Sequence, residues 1–245
     1  MDTIYYPYLG SGKLYAKEAG AAAGLIPIGN VSKLEFEVKE DKKPLKDYTK
    51  QGGGNYSSVS RIESVTAKFT AHDLNKTNIA RAVFGTEATV TGAPVLDEPV
   101  VGYKGAIVKL NRPNPTGVTV TNAAGTTTYA PNVDYEVRAG GIFVLDAGAI
   151  TNAQALLVDY TFATYSKVEA LTSGAKTLQL FFEGLNEANE GKPVLIDAWR
   201  VQLSPAKALA LLGDDFAELE MEGELLQDPT KTGVGISKYF KADLC

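Results

Sequence analysis

Four glutamates stand at alternate positions in the stretch FAELEMEGELL (216–226): Glu218, Glu220, Glu222 and Glu224. In an extended strand they share one face, while Ala217, Leu219, Met221, Gly223 and Leu225 share the other. Neighbours two apart lie roughly 6.7 Å from each other. Two carboxylates at that spacing repel by about 0.6 kcal/mol in water, and by more in a narrower, less polar space. Glutamate is also a poor strand former, and a merely solvated face would mix Thr, Lys and Glu. The row therefore needs a purpose beyond solubility. Its chemistry is that of a negatively charged wall.

Other chemistry finds little footing. His72 is the only histidine, so a Ser-His-Asp triad or a histidine-held metal would rest on one ring; its expected role is a hydrogen-bonding residue at a strand-to-helix junction. Asp214 and Asp215 read as a polar turn, and the D-x-D-x-D-G spacing of a calcium loop does not occur. LGSGKLY (9–15) has Pro7 where a phosphate loop needs glycine and Leu14 where it needs Ser or Thr, so it reads as a turn. Cys245 is the single cysteine, which leaves no intrachain disulfide and no cysteine cluster. No cofactor or metal is expected, and the chain is read as a non-enzyme. A hydrolase built on a carboxylate pair is a third, weaker class.

The chain has 245 residues, 44% of them hydrophobic and 22% charged, with a net charge of −5. That balance argues against a protein held on nucleic acid by a basic stripe. The start, MDTIYYPYLG, lacks the apolar segment of a signal peptide. No apolar run approaches a membrane span. Folding in a reducing cytoplasm is expected, with no membrane partner.

Period-two alternation between Gly, Pro and Asn punctuation predicts an all-β architecture, a sandwich or barrel with one solvent-facing side. KLEFEV (33–38) sets Leu34, Phe36 and Val38 against Lys33, Glu35 and Glu37. SVTAKFTA (64–71) sets Val65, Ala67 and Phe69 against Ser64, Thr66, Lys68 and Thr70. KTLQLFFEG (176–184) buries Leu178, Leu180 and Phe182. AWRVQL (198–203) buries Trp199, Val201 and Leu203, leaving Arg200 and Gln202 outside. Two short helices are predicted: 73–85, capped by Asp73 or Asn75 with Ile79, Ala82 and Val83 on one side, and 204–213, with Ser204 as N-cap, Pro205 at the first position and Gly213 past the end. Residues 39–58, charged and glycine-rich, read as a long loop, either functional or a solvated tip. Residues 98–165, dense in Thr, Val, Gly and Asn, read as an inserted β module between two parts, 1–97 and 166–245, of a discontinuous domain. The alternative is that these strands complete the main sheet.

Three stretches, KLEFEVKEDKKPLKDYTKQGGGNYSS, SVTAKFTAHDLNKTNIARAVFG and VLIDAWRVQLSPAKALALLGDDFAELEMEGELLQDP, together resemble the tail tube (major tail) proteins of long-tailed bacteriophages, a family related to pyocin and type VI secretion tube proteins. The resemblance covers the chain outside the middle module. It implies a structural virion protein, made in the bacterial host cytoplasm, that self-assembles into stacked hexameric rings. Tape measure, tail terminator and distal tail or baseplate proteins would be its other partners. Double-stranded DNA would pass through the bore without being bound. Glu218, Glu220, Glu222 and Glu224 would then face the lumen, with Glu35, Glu37, Lys68, Arg200 and Gln202 on neighbouring strands. Like charge in the wall keeps DNA, with one negative charge per roughly 1.7 Å, from adhering.

The same resemblance gives the 39–58 segment a role in contacts between rings, through Lys46, Asp47, Tyr48, Lys50, Gly52, Gly53, Gly54, Asn55 and Tyr56. The two terminal segments are further candidate arms. The inserted module would face outward. The competing reading is an all-β binding module for carbohydrate or a surface partner. It would need exposed aromatics, and Tyr129, Tyr135 and Phe143 are the ones at hand.

Overall fold

The computed structural model describes residues 7–245. In chain order the first elements are strands β1 (Gly10–Glu18), β2 (Ile26–Gly29), β3 (Val31–Lys46) and β4 (Asn55–Ala71), then helix α1 (Lys76–Ala82) and strand β5 (Thr86–Val90). Next come β6 (Ala93–Gly102), β7 (Ile107–Lys109), β8 (Thr116–Asn122), β9 (Thr128–Tyr129), β10 (Tyr135–Arg138), β11 (Gly141–Val144) and β12 (Gln154–Phe162). The chain ends with β13 (Tyr165–Glu169), β14 (Thr177–Asn186), β15 (Lys192–Leu203), β16 (Leu219–Leu225) and β17 (Phe240–Leu244). The fold is all-β, with one helix among the described residues. It divides into two compact units, 1–87 with 168–245, and 88–167.

The first unit is built on an eight-stranded sheet in the order β2-β1-β14-β15-β16-β4-β3, with β17 branching from β15. The branch arises because β15 shares one edge between two partners. Its Val201–Leu203 pairs with Gly223–Leu225 of β16, and its Val194–Ala198 pairs with Phe240–Leu244 of β17. One side of the sheet buries Leu14, Val65, Phe69, Leu178, Leu180, Val201, Leu219 and Met221 among others. Phe36 stacks on Phe240 with ring centroids 5.1 Å apart. The alternation predicted for 64–71 is the alternation observed.

Four local expectations are corrected. LGSGKLY contains no turn; from Gly10 onward it is the start of β1, paired along its length with β14. Residues 39–58 are no loop. β3 and β4 stay paired out to Lys46 and Asn55, so only residues 47–54 connect them. The register jogs at Lys39/Glu40 and again at Leu45/Lys46, which absorbs residues that break strict alternation.

The helix expected at 204–213 is absent. The Ser204 N–H donates to the Glu222 carbonyl at 2.8 Å, and the Ala206 N–H donates to Ala82 at 2.7 Å. Ala206 and Leu209 reach the core, but Leu212 is 98% exposed. The segment's backbone donors are taken by these distant carbonyls instead of by helical ones, and isolated short helices are marginal in water.

The helix expected at 73–85 is shorter, with Asn75 as its cap, accepting from the Asn78 N–H at 2.9 Å. Asp73 instead accepts from the Asn30 N–H at 2.8 Å. Its buried face is Asn78, Ala80 and Ala82 rather than Ile79 and Val83. The Asn78 amide donates to the carbonyls of Ile28 and Asp73, which ties the helix to β2. His72 follows β4, and its backbone N–H donates to Asn30.

The second unit holds a four-stranded sheet, β6-β12-β8-β9, and a three-stranded one, β10-β11-β7, which share one core of Val120, Tyr135, Ile142, Val144 and Val158 among others. It begins at Ala88 rather than Glu98 because β6 pairs with β12 from Ala93 onward. Pro94 and Pro99 lie in β6, an outer strand of its sheet, where a missing N–H can face away from the ladder.

Buried Glu98 accepts a hydrogen bond from the Tyr160 hydroxyl at 2.6 Å and another from the Asn111 N–H at 2.8 Å. Burial, and then this hydrogen bond, push the Tyr160 pKa up to about 12. A tyrosine ionises near 10 when unfolded. The contribution is therefore complete below about pH 10 and is lost as pH rises through about 12. Tyr160→Phe should lower stability by about 1–3 kcal/mol, because Glu98 loses a donor. It should also flatten the alkaline fall of the melting temperature between pH 10 and 12. Calorimetric melts across that range check both.

Candidate functional surface

The solvent side of β3, β4, β16 and the end of β15 is one continuous polar surface, and its rows follow from pairing. Glu37 lies opposite Thr66, Thr66 opposite Glu224, and Glu224 opposite Gln202. Glu35 lies opposite Lys68, and Lys68 opposite Glu222. Lys33 lies opposite Thr70, and Thr70 opposite Glu220. Seven of the nine residues read from sequence as one wall thus share a face: Glu35, Glu37, Lys68, Gln202, Glu220, Glu222 and Glu224. Glu218 precedes the first residue of β16 and lies outside the ladder.

Arg200 and Trp199 depart from simple alternation. Leu178 pairs with Val201, but Leu180 pairs with Ala198, so two residues of β15 oppose the single Gln179. This bulge reverses the parity of the strand, and Ala198 and Val201 are both buried. Trp199, expected in the core, is left out of it. Its ring lies beneath the Lys231 ammonium, 4.0 Å from the centroid. Arg200 donates to the Gln227 carbonyl at 3.3 Å instead of reaching the glutamates. A bulge carries no residue signature at these positions, which is why alternation alone misplaces the tryptophan.

The surface is acidic but partly compensated. Lys68 Nζ donates to Glu37 at 2.7 Å, Lys33 lies 3.3 Å from Glu35, and Lys207 lies 3.8 Å from Glu222. The Lys68 hydrogen bond holds the Glu37 carboxyl below its ordinary range. Glu37, then Glu222 and Glu35, raise the Lys68 ammonium. Among the described residues no cation lies within 4.0 Å of Glu220 or Glu224. Alternation places Lys33 on the face of Glu35 and Glu37, but it gives no sign of Lys207 or of the bulge.

On the opposite side of β16, Leu219, Met221, Gly223 and Leu225 are buried. A Cβ on Gly223 would come within 2.7 Å of Val201 and 2.9 Å of the Gln202 carbonyl. That close approach is what lets β15 seat against β16.

The residues expected to contact a neighbouring ring are at the far end of the β3–β4 pair. Lys46, Asn55 and Tyr56 are in its strands, and Asp47, Tyr48, Lys50, Gly52, Gly53 and Gly54 in its turn. Asp47 accepts from the Thr49 N–H and hydroxyl at 2.9 and 2.6 Å, which holds its carboxyl low. Its own N–H donates to Gly54. Gly52 has φ of +82°, a conformation glycine adopts without strain. Tyr48 is 83% and Tyr56 71% exposed. In the second unit, Tyr129 and Tyr135 are core residues and Phe143 lies beneath the Arg138 guanidinium. They form no exposed aromatic platform. Among the described residues no cluster of three or more His, Cys, Asp or Glu is placed to hold a metal, and no helix is long and apolar enough to cross a membrane.

Residues 7–243 match the model of a family described as "Protein of unknown function UCP028589", and the chain belongs to that family. No curated protein matches it.

Gly223→Ala should cost about 1–3 kcal/mol, because the methyl group meets backbone and a buried valine. Met221→Ala should cost about 2–5 kcal/mol. Glu220→Gln should leave the melting temperature unchanged within error. Thermal melts of the three variants check whether β16 is anchored from its apolar side.

Proposed function

We propose that this protein is a structural subunit that assembles with copies of itself into stacked hexameric rings, the tail tube of a long-tailed bacteriophage, with double-stranded DNA passing through the bore. The observation that carries self-assembly is the end of the main sheet. β3 has no partner on its outer edge among the described residues. Beyond Val38 it forms with β4 a two-stranded ribbon exposed on both sides. A lone two-stranded ribbon is marginally stable in water, and an open edge is a template for another chain. Over the eight residues from Lys39 to Lys46 the ribbon reaches about 26 Å. Its exposed Leu45, Tyr48, Tyr56 and Val59 offer apolar contact to a neighbouring copy. A closed ring of head-to-tail copies would leave no edge open.

The acidic surface supports the second half of the reading. Turned toward a bore, Glu220 and Glu224 would present uncompensated charge to a polyanion. Repulsion would act only within about 8–10 Å of the wall at physiological salt. DNA would slide without being held. Tape measure, terminator and baseplate partners, and assembly in the host cytoplasm followed by residence in the virion, follow from the same resemblance. Tyr129 and Tyr135, buried, weigh against the carbohydrate-binding alternative.

Two experiments test the reading. Replacing residues 46–56 by an Asn-Gly turn should leave a folded monomer that forms no tubes. Normal tubes in negative-stain images of that variant would refute a role for the ribbon. Glu220→Lys with Glu222→Lys should permit assembly yet slow or trap DNA in transit, read as loss of infectivity with intact particles. Unchanged infectivity would remove these residues from the bore.

A further inference from the structure

Away from the acidic surface, the first unit has a cleft of about 250 Å³ walled by α1, the end of β1 and the start of β5. Arg81, in the last turn of α1, lines it. Arg81 is half-buried, and its guanidinium makes one long contact, 3.5 Å to Asn78 Oδ1. Two carboxylates share the cleft, and each is engaged by another residue of its lining, Lys176 or Thr77. Glu18 is held by Lys176 at 3.0 Å, and Glu87 accepts from the Thr77 hydroxyl at 3.1 Å. Among the described residues no carboxylate lies within 4.0 Å of Arg81. Burial makes the guanidinium hold its proton less tightly than an ordinary arginine does, only partly offset by Glu87 and Glu18.

We propose that the Arg81 cleft is a binding site for a single carboxylate, supplied by an Asp or Glu side chain of a second copy of this chain. The planar fork of a guanidinium matches a carboxylate in two parallel hydrogen bonds. Glu18 and Glu87 set the class, because their nearby charge disfavours a doubly charged phosphate while tolerating a monoanion. The volume sets the size. It is below the roughly 300 Å³ at which pockets for whole small molecules begin, and suits one side chain. Leu178 and Ala80, both buried, supply apolar contact for its methylenes. The second copy as source rests on the proposed self-assembly; the carboxylate chemistry does not.

The experiment compares wild-type full-length chain with Arg81→Gln and Arg81→Lys. Sedimentation velocity measures self-association, and thermal melts compare sodium acetate with sodium chloride at equal ionic strength. Acetate should raise the wild-type melting temperature and leave Arg81→Gln unmoved. Arg81→Gln should weaken self-association by on the order of 30-fold, with partial recovery in Arg81→Lys and a monomer melting temperature close to wild type. An acetate response with Arg81-independent assembly would keep the carboxylate site and make its occupant a free small acid, overturning the second copy as source. A response equal in wild type and Arg81→Gln, or absent from both, together with unaltered assembly would overturn the proposal outright. Wild-type chain that never associates, yet binds acetate through Arg81, would instead defeat the assembly reading.

Discussion

The register of β16 against β4 is the constraint on which the acidic surface depends. Leu219 lies opposite Ala71, Met221 opposite Phe69 and Gly223 opposite Ala67, all on the buried side. Side chains alternate strictly along a strand, so a slip of one residue would exchange both faces. It would bring Glu220, Glu222 and Glu224 into the core, where each unpaired charge costs several kcal/mol. The apolar residues that build the core therefore also hold the glutamates outward. Stability and charge display are two sides of one pairing, and the penalty for losing register greatly exceeds the mutual repulsion of the glutamates.

Lysine placement explains how the sheet tolerates that repulsion. Lys68 stands between Glu35 on β3 and Glu222 on β16, and hydrogen-bonds Glu37 as well. One ammonium thus serves carboxylates on both neighbouring strands, a cross-strand arrangement that favours pairing. The compensation is uneven. It concentrates toward β3 and, among the described residues, leaves Glu220 and Glu224 without a close cation, so the most negative part of the surface is β16. Such exposed pairs add little to stability. Their larger consequence is the shape of the field outside the sheet.

What was legible in the sequence was parity, and what was not was anything set by distant partners. Val65, Ala67, Phe69, Leu178 and Leu180 were readable as core because a half-buried strand writes its faces in alternation. Ser204-Pro205 looked like a helix start by local rules, yet Ser204 and Ala206 donate to Glu222 and Ala82, residues that no local window includes. The ribbon was hidden for the opposite reason. Lys39 to Lys46 and Asn55 to Glu63 are exposed on both sides, so no buried face imposes a period, and charge with glycine resembles a loop. The bulge at Trp199 and Arg200 was invisible because it is a relation between β14 and β15 rather than a property of either. The acidic row was legible, and so was Lys33 beside Glu35 on the same face, whereas the approach of Lys207 to Glu222 depended on the unexpected course of residues 204–210.

Among the described residues the outer edge of β3 is unpaired, and its composition guards it against casual strand pairing. Lys33, Glu35, Glu37, Lys39, Glu40, Asp41, Lys42 and Lys43 place charge along nearly its whole length, and Pro44 removes a donor near its end. Three register shifts against β4 twist it away from a flat template. Charge, proline and bulges are the devices by which natural sheets blunt an edge. An edge protected this thoroughly rejects casual strands, so a strand that paired with it would have to match its charges and its bends. A second copy related by rotation would meet that demand at every position once it met it at one, because each junction in a closed ring repeats the same contact. In the proposed ring such blunting would matter most, since the edge would stay open until a matching copy paired with it.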